Sequence, residues 1–269
     1  MNRNIRLLLA YDGTDFSGWQ RQAGSRTVQG AIESALERLH KHRVTLIGSG
    51  RTDAGVHAAG QVAHFHTDIG TIPPERFVPA LNRLLPQDIR VLRAQERGLD
   101  FHARFDAKSR TYRYYLICSR PGLPHELRYA YQLWRHPRLD RLNDYARLFQ
   151  GELDCSIFAQ SQDPSISRSR YLFGACFFIQ GNTLVFEITA NAFLWKMIRS
   201  ILGTVLYYEE QGLSPEDFKA ILRSGDRSLA GPTAPPQGLF LWNIAYYRIS
   251  GESTSGFTRY TVSPPLGRG

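Results

Sequence analysis

The chain is basic and has the composition of an ordinary globular protein. Its 269 residues are 42% hydrophobic and 21% charged, which excludes wholesale disorder and allows a sizeable core. Lys and Arg number 33 against 24 Asp and Glu, a formal net charge of +9, and 29 of these cations are arginines. The excess of arginine can reflect genomic composition alone. Because guanidinium groups suit phosphate and base contacts, it also fits a polyanionic partner, either nucleic acid or a membrane surface.

The apolar runs and the cysteines exclude further classes. No segment approaches the roughly 20 apolar residues of a membrane span, and the apolar run at residues 7–10 is too short for a signal peptide. No strongly basic amphipathic helix supports a membrane-surface protein. Cys118, Cys155 and Cys176 stand far apart, and none belongs to a C-x-x-C pair. We therefore expect no disulfide framework or zinc–thiolate site, and a reducing cytoplasm.

Apolar periodicity predicts alternating strands and helices in the first part of the chain. Strands are expected at residues 5–11, 44–47, 61–66 and 89–94, and helices at about 27–40 and 74–85. In the third strand Val62, His64 and His66 share one face, and Ala63 and Phe65 share the other. A pair of histidines on one face could bind a metal, but no third ligand stands at a fixed spacing.

The second part of the chain repeats this pattern of elements. Strands are expected at 111–118, in a hairpin of 175–179 and 184–189, and at 239–247, with helices near 142–149 and at 193–210. Ser214 and Pro215 open a further helix that ends at Gly225. This mixture predicts an α+β fold. We expect subdomains at 1–107 and 108–250, followed by a flexible tail at 251–269.

The most unusual segment is the glycine-rich run at residues 48–57. It fits neither a Walker A loop nor G-x-G-x-x-G. In an extended segment Arg51 and Asp53 would point the same way, and the arginine would favour the ionised carboxylate. An ionised Asp53 could act as a nucleophile, a base or a metal ligand. It could equally cap a turn, since Asp beside Gly is common in turns.

Aromatic and basic residues alternate at three places. Residues 18–22 and 101–105 combine both kinds of side chain, as loop RNA would require for base stacking and phosphate contacts. Tyr112 and Tyr114 share a strand face and form either a stacking platform for bases or part of the core. Arg199 follows Trp195 by one turn of the predicted helix, where an exposed position is the default.

Together these motifs resemble the tRNA pseudouridine synthase A family. The resemblance covers about residues 5–248 in family order. It rests on Tyr11-Asp12-Gly13, residues 18–22, Gly50-Arg51-Thr52-Asp53-Ala54-Gly55-Val56-His57, residues 101–105, Tyr112-Arg113-Tyr114, Asn191-Ala192-Phe193, Met197-Ile198-Arg199 and Gly238-Leu239. The run from Arg51 to His57 is the most specific of them. Trp195-Lys196 and Cys155 depart from the family pattern.

The resemblance implies an isomerase that converts uridine to pseudouridine at tRNA positions 38, 39 and 40 in the anticodon stem-loop. It implies a nucleophile at Asp53, with Arg51 and Arg199 holding this carboxylate and the flipped nucleotide, and with Tyr112 against the uracil. The remaining implied RNA contacts are Phe101, His102, Arg104, Phe105, Arg120 and Arg168.

The implied fold has two α+β subdomains, each an antiparallel sheet with helices on one face, joined into one continuous sheet with a central basic cleft. The family also implies a cytoplasmic homodimer. Because the isomerisation is redox-neutral and loses no group, we expect no cofactor and no metal.

Two other classes of protein compete with this interpretation. A metal-dependent hydrolase would use Asp53, His57, His64 and His66. A non-catalytic RNA-binding protein on the same fold would need neither the carboxylate nor the flanking arginine.

Overall fold

The computed structural model describes residues 2–160 and 162–246. In these residues the strands are β1 (Arg3–Tyr11), β2 (Ile47–Gly48), β3 (His57–Thr67), β4 (Ile89–Arg97), β5 (Ser109–Cys118), β6 (Tyr131–Leu133), β7 (Gly151–Asp154), β8 (Ser169–Gln180), β9 (Thr183–Ala190) and β10 (Leu239–Ala245). The helices are α1 (Val28–His40), α2 (Phe77–Leu84), α3 (Pro124–Leu127), α4 (Leu139–Ala146), α5 (Met197–Glu210) and α6 (Pro215–Ser224). The α+β class is confirmed. The expected tail at 251–269 lies outside the described residues.

The chain divides into two compact units. The first unit contains the residues up to Lys108 together with the stretch from Phe240, and the second unit contains Ser109–Leu239. The last strand was expected to belong to a subdomain at residues 108–250. In the structure β10 belongs with the first unit, where it pairs with β3.

The sheet of the first unit is centred on β1. This strand pairs antiparallel with β3 and β4, β2 pairs antiparallel with β3, and β10 runs parallel to β3. Ile5, Leu7 and Leu9 on one face of β1 are completely buried. Thr27 begins α1 as predicted, because its hydroxyl accepts a hydrogen bond from the Gly30 N–H.

In the second unit β9 lies between β5 and β8 and pairs antiparallel with both. β7 extends this arrangement antiparallel to β8, and β6 runs parallel to β5. Helix α4 is tied to β8 by Asn143, whose amide bonds both the N–H and the carbonyl of Phe177, at 2.8 and 3.0 Å. The parallel pairings of β6 and β10 were not expected, since the sequence indicated antiparallel sheets alone.

The largest correction concerns α5, which begins at Met197 and not at residue 193. Lys196 has a φ of 58°, in the left-handed region, so the helix cannot extend through it towards the N-terminus. The N–H of Trp195 donates instead to the carboxylate of Asp163. Trp195 therefore stands outside the helix that carries Arg199. Helix α6 was predicted correctly, from its N-cap Ser214 to the left-handed Gly225.

The expected strand at 44–47 is also wrong, because only Ile47 of that run belongs to β2. Leu46 is buried, but its N–H and carbonyl bond the side chains of Glu33 and Gln29 at 3.1 and 2.9 Å. These two groups on α1 replace the partners that a strand would offer. The helix expected at 74–85 is a 3₁₀ turn followed by α2. Helix α3 and strands β6 and β7 were not predicted.

None of the helices in the described residues has the length and apolar character needed to cross a membrane.

Candidate active site

Asp53 lies in the loop that joins β2 to β3 in the first unit. The loop is closed internally by a turn in which the Val56 N–H donates to the Asp53 carbonyl at 3.2 Å, with Gly55 at a φ of 75°. Gln61 on β3 holds its other end, because its amide donates to the Gly50 carbonyl at 3.0 Å. The backbone on both sides of Asp53 is therefore fixed.

A second segment, residues 11–19, braces the same loop from outside. The Trp19 N–H donates to the Thr52 carbonyl at 3.1 Å, and the Gly55 N–H donates to the Phe16 carbonyl at 3.3 Å. The Tyr11 hydroxyl lies 2.8 Å from the Thr52 hydroxyl, and burial raises the pKa of Tyr11, so this phenol stays neutral. Backbone hydrogen bonds at Thr52 and Gly55 thus hold the chain on either side of Asp53.

Trp19 has a structural role that the sequence did not reveal. Residues 18–22 combine aromatic and basic side chains and were expected to suit RNA, but Trp19 is 2% exposed. Its ring lies against Gly48, where an added Cβ would come within 2.5 Å of it. Only glycine allows this approach, so the glycine-rich run serves the packing of the loop, and Trp19 is unavailable for base stacking.

The Asp53 side chain is half-buried and the Arg51 side chain is exposed. The expected effect of Arg51 on the Asp53 carboxylate stays a prediction. Residues 51–53 belong to neither a helix nor a strand, and the chain turns after them at residues 54–55.

Residues 101–105 lie across the polar face of β1 and β3. The Ala103 N–H donates to Nδ1 of His64 at 3.1 Å, and the Ala103 carbonyl accepts from the Tyr246 hydroxyl at 2.7 Å. Asn4 donates to the Phe101 carbonyl at 2.8 Å. The segment is therefore anchored through its backbone.

This anchoring leaves part of the segment at the surface. Phe105 is 73% exposed, stacks on His102 at a centroid distance of 4.2 Å, and lies beneath the Arg104 guanidinium at 5.8 Å.

Nδ1 of His64 is thus a backbone acceptor. His66 and His102 lie beside it, with ring centroids at 5.8 and 5.1 Å. Within residues 2–160 and 162–246 no three His, Cys, Asp or Glu side chains are grouped so that they could hold a metal ion. The hydrolase alternative therefore has no site in the part of the chain that the structure describes.

We expect the stability of the protein to fall on the acid side because of His64. Burial lowers the pKa of His64 from 6.5 to about 4. The nearby His102 and His66 add to this shift, and Asp106 opposes it. Between these values the unfolded chain binds a proton that the folded chain lacks, so the free energy of unfolding should fall as pH falls, by up to about 3 kcal/mol.

Denaturant titrations at pH 7, 5.5 and 4 would measure this loss, and His64→Asn should reduce it while keeping an acceptor for Ala103. The control His42→Asn should leave the loss in place, because hydrogen bonding raises the pKa of the exposed His42. An unchanged pH dependence in His64→Asn would contradict the assignment.

Tyr112 and Arg199 belong to the second unit. Tyr112 on β5 is 7% exposed and meets Phe193 edge-on at 5.2 Å, so it is largely covered and does not form an open platform with the fully buried Tyr114. Arg199 is half-buried and not exposed, which corrects the default expectation. Its Nε donates to the Ala234 carbonyl at 2.7 Å, and its own carbonyl accepts from the Ala234 N–H at 3.0 Å.

The other two expected RNA contacts differ in their surroundings. Arg120 forms two hydrogen bonds to Glu126, at 2.9 and 2.8 Å, and this arginine lowers the pKa of Glu126 to about 2. Arg168 precedes β8 and is exposed. In the described residues no ion pair engages Arg168, so its charge is more available than that of Arg120.

Phe193 beside Tyr112 and Ala234 beside Arg199 were not expected from the sequence. Both stand close to recognised motifs, Phe193 inside the Asn191–Phe193 motif and Ala234 just before Gly238. An aromatic residue inside a motif was the available signal for Phe193. No signal marked Ala234, because it acts through its backbone.

Comparison with known proteins agrees with these motifs. The family model described as tRNA pseudouridine synthase matches residues 8–106 and 145–247. The tRNA pseudouridine synthase A of Treponema denticola is 53% identical over 249 residues, covering 91% of this chain and 93% of that protein. The protein of the same name from Treponema pallidum strain Nichols is 48% identical, covering 86% of this chain and 84% of that protein. The one from Geobacillus kaustophilus is 42% identical, covering 91% of this chain and 95% of that protein.

The α+β units and the matching motifs define an RNA-modifying isomerase that converts uridine in tRNA to pseudouridine. The chain belongs to the tRNA pseudouridine synthase A family.

Proposed function

We propose that the protein isomerises uridines 38, 39 and 40 in the anticodon stem-loop of tRNA, with Asp53 as the nucleophile. The observation that carries the proposal is the half-buried carboxylate of Asp53, held in a loop that is bonded to β3 on one side and to residues 11–19 on the other. A fixed carboxylate of this kind suits covalent or electrostatic catalysis, because no reorganisation is needed when the reaction begins.

The reaction breaks the C1′–N1 bond, joins C1′ to C5 of the same base, releases the C5 proton and leaves a proton on N1. The carboxylate can add to C1′, assist glycal formation by accepting a proton from the ribose, or add to C6 of the ring. All three routes use the same Asp53 side chain.

The roles of Arg51, Arg199 and Tyr112 follow from the family resemblance. Arg199 is held at Nε by the Ala234 carbonyl, so its terminal nitrogens are oriented by this contact. Tyr112 is backed by Phe193, which suits a rigid aromatic wall for a base that must turn before it reattaches. Its hydroxyl could also move the C5 proton. The exposed Arg51 is proposed to hold the flipped nucleotide by a charge-assisted contact.

Mapping pseudouridines in tRNA tests the choice of positions. In cells lacking the protein, pseudouridine should be absent at positions 38, 39 and 40 and present at other sites. Purified protein added to that tRNA should restore the three positions. Restoration at another position, with these three unchanged, would overturn the proposal.

We expect Arg168 to contribute to tRNA binding through phosphate. Arg168→Gln should weaken binding of unmodified tRNA and should lower the slope of log affinity against log salt by about 1. Binding titrations at several salt concentrations measure both quantities. Phe101, His102, Arg104 and Phe105 are proposed as further contacts, with the exposed Phe105 available for base stacking.

Arg38→Gln is the matched control for this measurement, because Arg38 is an exposed residue on α1 and the substitution removes the same charge. It should leave the slope nearly unchanged. Equal slopes for both variants would show that Arg168 acts only through net charge. Arg120→Gln should alter binding less than Arg168→Gln, since Glu126 already holds Arg120.

We further propose that the protein is a homodimer in the cytoplasm, where its tRNA substrate resides. The dimer is supported by the family resemblance, and the reducing compartment by the free thiols of Cys118, Cys155 and Cys176. Light scattering in solution should give twice the chain mass of 30.6 kDa. A mass equal to one chain across micromolar concentrations would contradict the dimer.

A further inference from the structure

His57 lies directly after the Asp53 loop, at the first position of β3, and its side chain is completely buried. Its ring stacks on Phe240 of β10 with a centroid distance of 4.6 Å and an interplanar angle of 22°. Histidine is an expensive residue to bury unless its nitrogens have partners. The hydrogen-bond partners of the ring nitrogens therefore indicate the role of His57.

One ring nitrogen of His57 faces the segment that braces the loop. Nδ1 lies 3.0 Å from the backbone nitrogen of Gly13, whose N–H points at it. The same nitrogen lies 3.2 Å from Oδ1 of Asp12. Nδ1 can accept a hydrogen bond from Gly13 when it carries no proton, or donate one to Asp12 when it does.

The surroundings favour the acceptor state. Oδ1 of Asp12 already accepts two hydrogen bonds from Thr14, from its N–H at 3.0 Å and from its hydroxyl at 2.6 Å. The Gly13 N–H is a buried backbone donor, which would lose its partner if Nδ1 were protonated. The tautomer with a bare Nδ1 satisfies both groups.

Gly13 in turn touches the loop that carries Asp53. A Cβ on Gly13 would lie 2.0 Å from the Val56 carbonyl oxygen, so the two backbones are in direct contact. Val56 closes the turn by its hydrogen bond to the Asp53 carbonyl. A shift of Gly13 must therefore be transmitted to Val56 and through it to Asp53.

We propose that His57 is a positioning residue, which aims the Asp53 carboxylate by accepting the Gly13 hydrogen bond at Nδ1. This inference rests on the proposed function, because it concerns how the nucleophile is placed. Because the His57 side chain is completely buried, it would act through Gly13 and not on the substrate itself. Misplacement of a reacting group by about 1 Å lowers turnover by about 100-fold, so the expected effect falls on kcat, with KM for tRNA nearly unchanged.

Two substitutions separate the hydrogen bond from the stacked ring. His57→Asn keeps an acceptor oxygen at the place of Nδ1 but removes the ring. His57→Phe keeps a ring against Phe240 but removes the acceptor. We expect kcat of His57→Asn to stay within about 5-fold of the wild type and kcat of His57→Phe to fall by about 100-fold, with melting temperatures measured for both.

His40→Phe is the matched control for the loss of a buried histidine. His40 is also buried in the first unit, and its ring nitrogens bond the Leu36 carbonyl and the Thr67 hydroxyl away from the Asp53 loop. This variant should lose stability and keep kcat. A purely structural role for His57 would make kcat of its two variants follow their melting temperatures, as in the control.

The outcomes distinguish this inference from the function on which it rests. If folded His57→Phe turns over at the wild-type rate, or if folded His57→Asn loses as much kcat as His57→Phe, the positioning role is overturned. The non-folding of His57→Phe would leave His57→Asn to decide by its kcat. Activity in Asp53→Asn would instead overturn the proposed nucleophile itself, whatever His57 does.

Discussion

Asp53→Asn is expected to lower the rate of uridine isomerisation in tRNA by at least about 10⁴-fold, as for other residues that act directly on the reacting atoms. The amide has nearly the shape of the carboxylate but carries no charge and is a poor nucleophile and base. The loop should keep its conformation, because its bonds to Gln61 and Phe16 involve backbone atoms of Gly50 and Gly55. Binding of tRNA should therefore be retained.

Release of tritium from tRNA labelled at C5 of uridine measures this loss, because every completed isomerisation replaces the C5 hydrogen. A binding titration with the same tRNA checks that the substrate still docks. Asp68→Asn is the matched control, since Asp68 is an exposed aspartate of the first unit that faces His42 and lies outside the loop. Turnover by folded Asp53→Asn within about 100-fold of the wild type would rule out the nucleophile role.

Gly203→Ala is expected to destabilise the second unit by about 2 kcal/mol and to reduce activity. In an exposed helix this change would stabilise by about 1 kcal/mol through helix propensity. On α5, however, the added Cβ would lie 1.7 Å from the Pro232 carbonyl oxygen, and overpacking against backbone costs about 1–3 kcal/mol or more. The free-energy cost of this clash exceeds the gain from helix propensity.

Activity should fall together with stability, because the segment that the new Cβ displaces also carries Ala234. Two hydrogen bonds join Ala234 to Arg199. Urea denaturation and tritium release measure the two effects. Ser34→Ala is the control, because Ser34 is an exposed position on α1 and should change stability by less than about 0.5 kcal/mol. Wild-type stability in Gly203→Ala would show that the Pro232 segment moves aside without cost.

The sequence predicted the elements whose signals are local. Helix α6 carries its boundaries in Ser214 and Gly225, and the structure confirms them. The apolar spacing that predicted a helix at about residues 27–40 is likewise local, and α1 is found at Val28–His40. The start of α5 could not be predicted in this way. It depends on the left-handed Lys196 and on the bond from Trp195 to Asp163, a residue distant in sequence.

In the candidate site, too, the local signals could be predicted from the sequence and the contacts between distant segments could not. The run at residues 48–57 marks the loop, because it combines three glycines with the arginine and the carboxylate of the specific Arg51–His57 motif. Residues 11–19 hold this loop through contacts between backbone atoms. Such contacts do not depend on residue type, except where only glycine fits, so the sequence does not reveal them. The same holds for Ala234 beside Arg199. Aromatic alternation at residues 18–22 suggested RNA and instead reflected packing, because the sequence does not show that Gly48 receives the Trp19 ring.

The parallel pairing of β10 with β3 affects the order in which the protein can mature during translation. The pairing places Phe240 beside His57 and Leu241 beside Ala58. Strand β3, which follows the Asp53 loop, can therefore pair with β10 only after most of the chain has emerged from the ribosome. Contacts between segments so far apart in sequence form late and slowly. We therefore expect a nascent chain that stops before Phe240 to lack tRNA-modifying activity, even though its Asp53 loop is already complete.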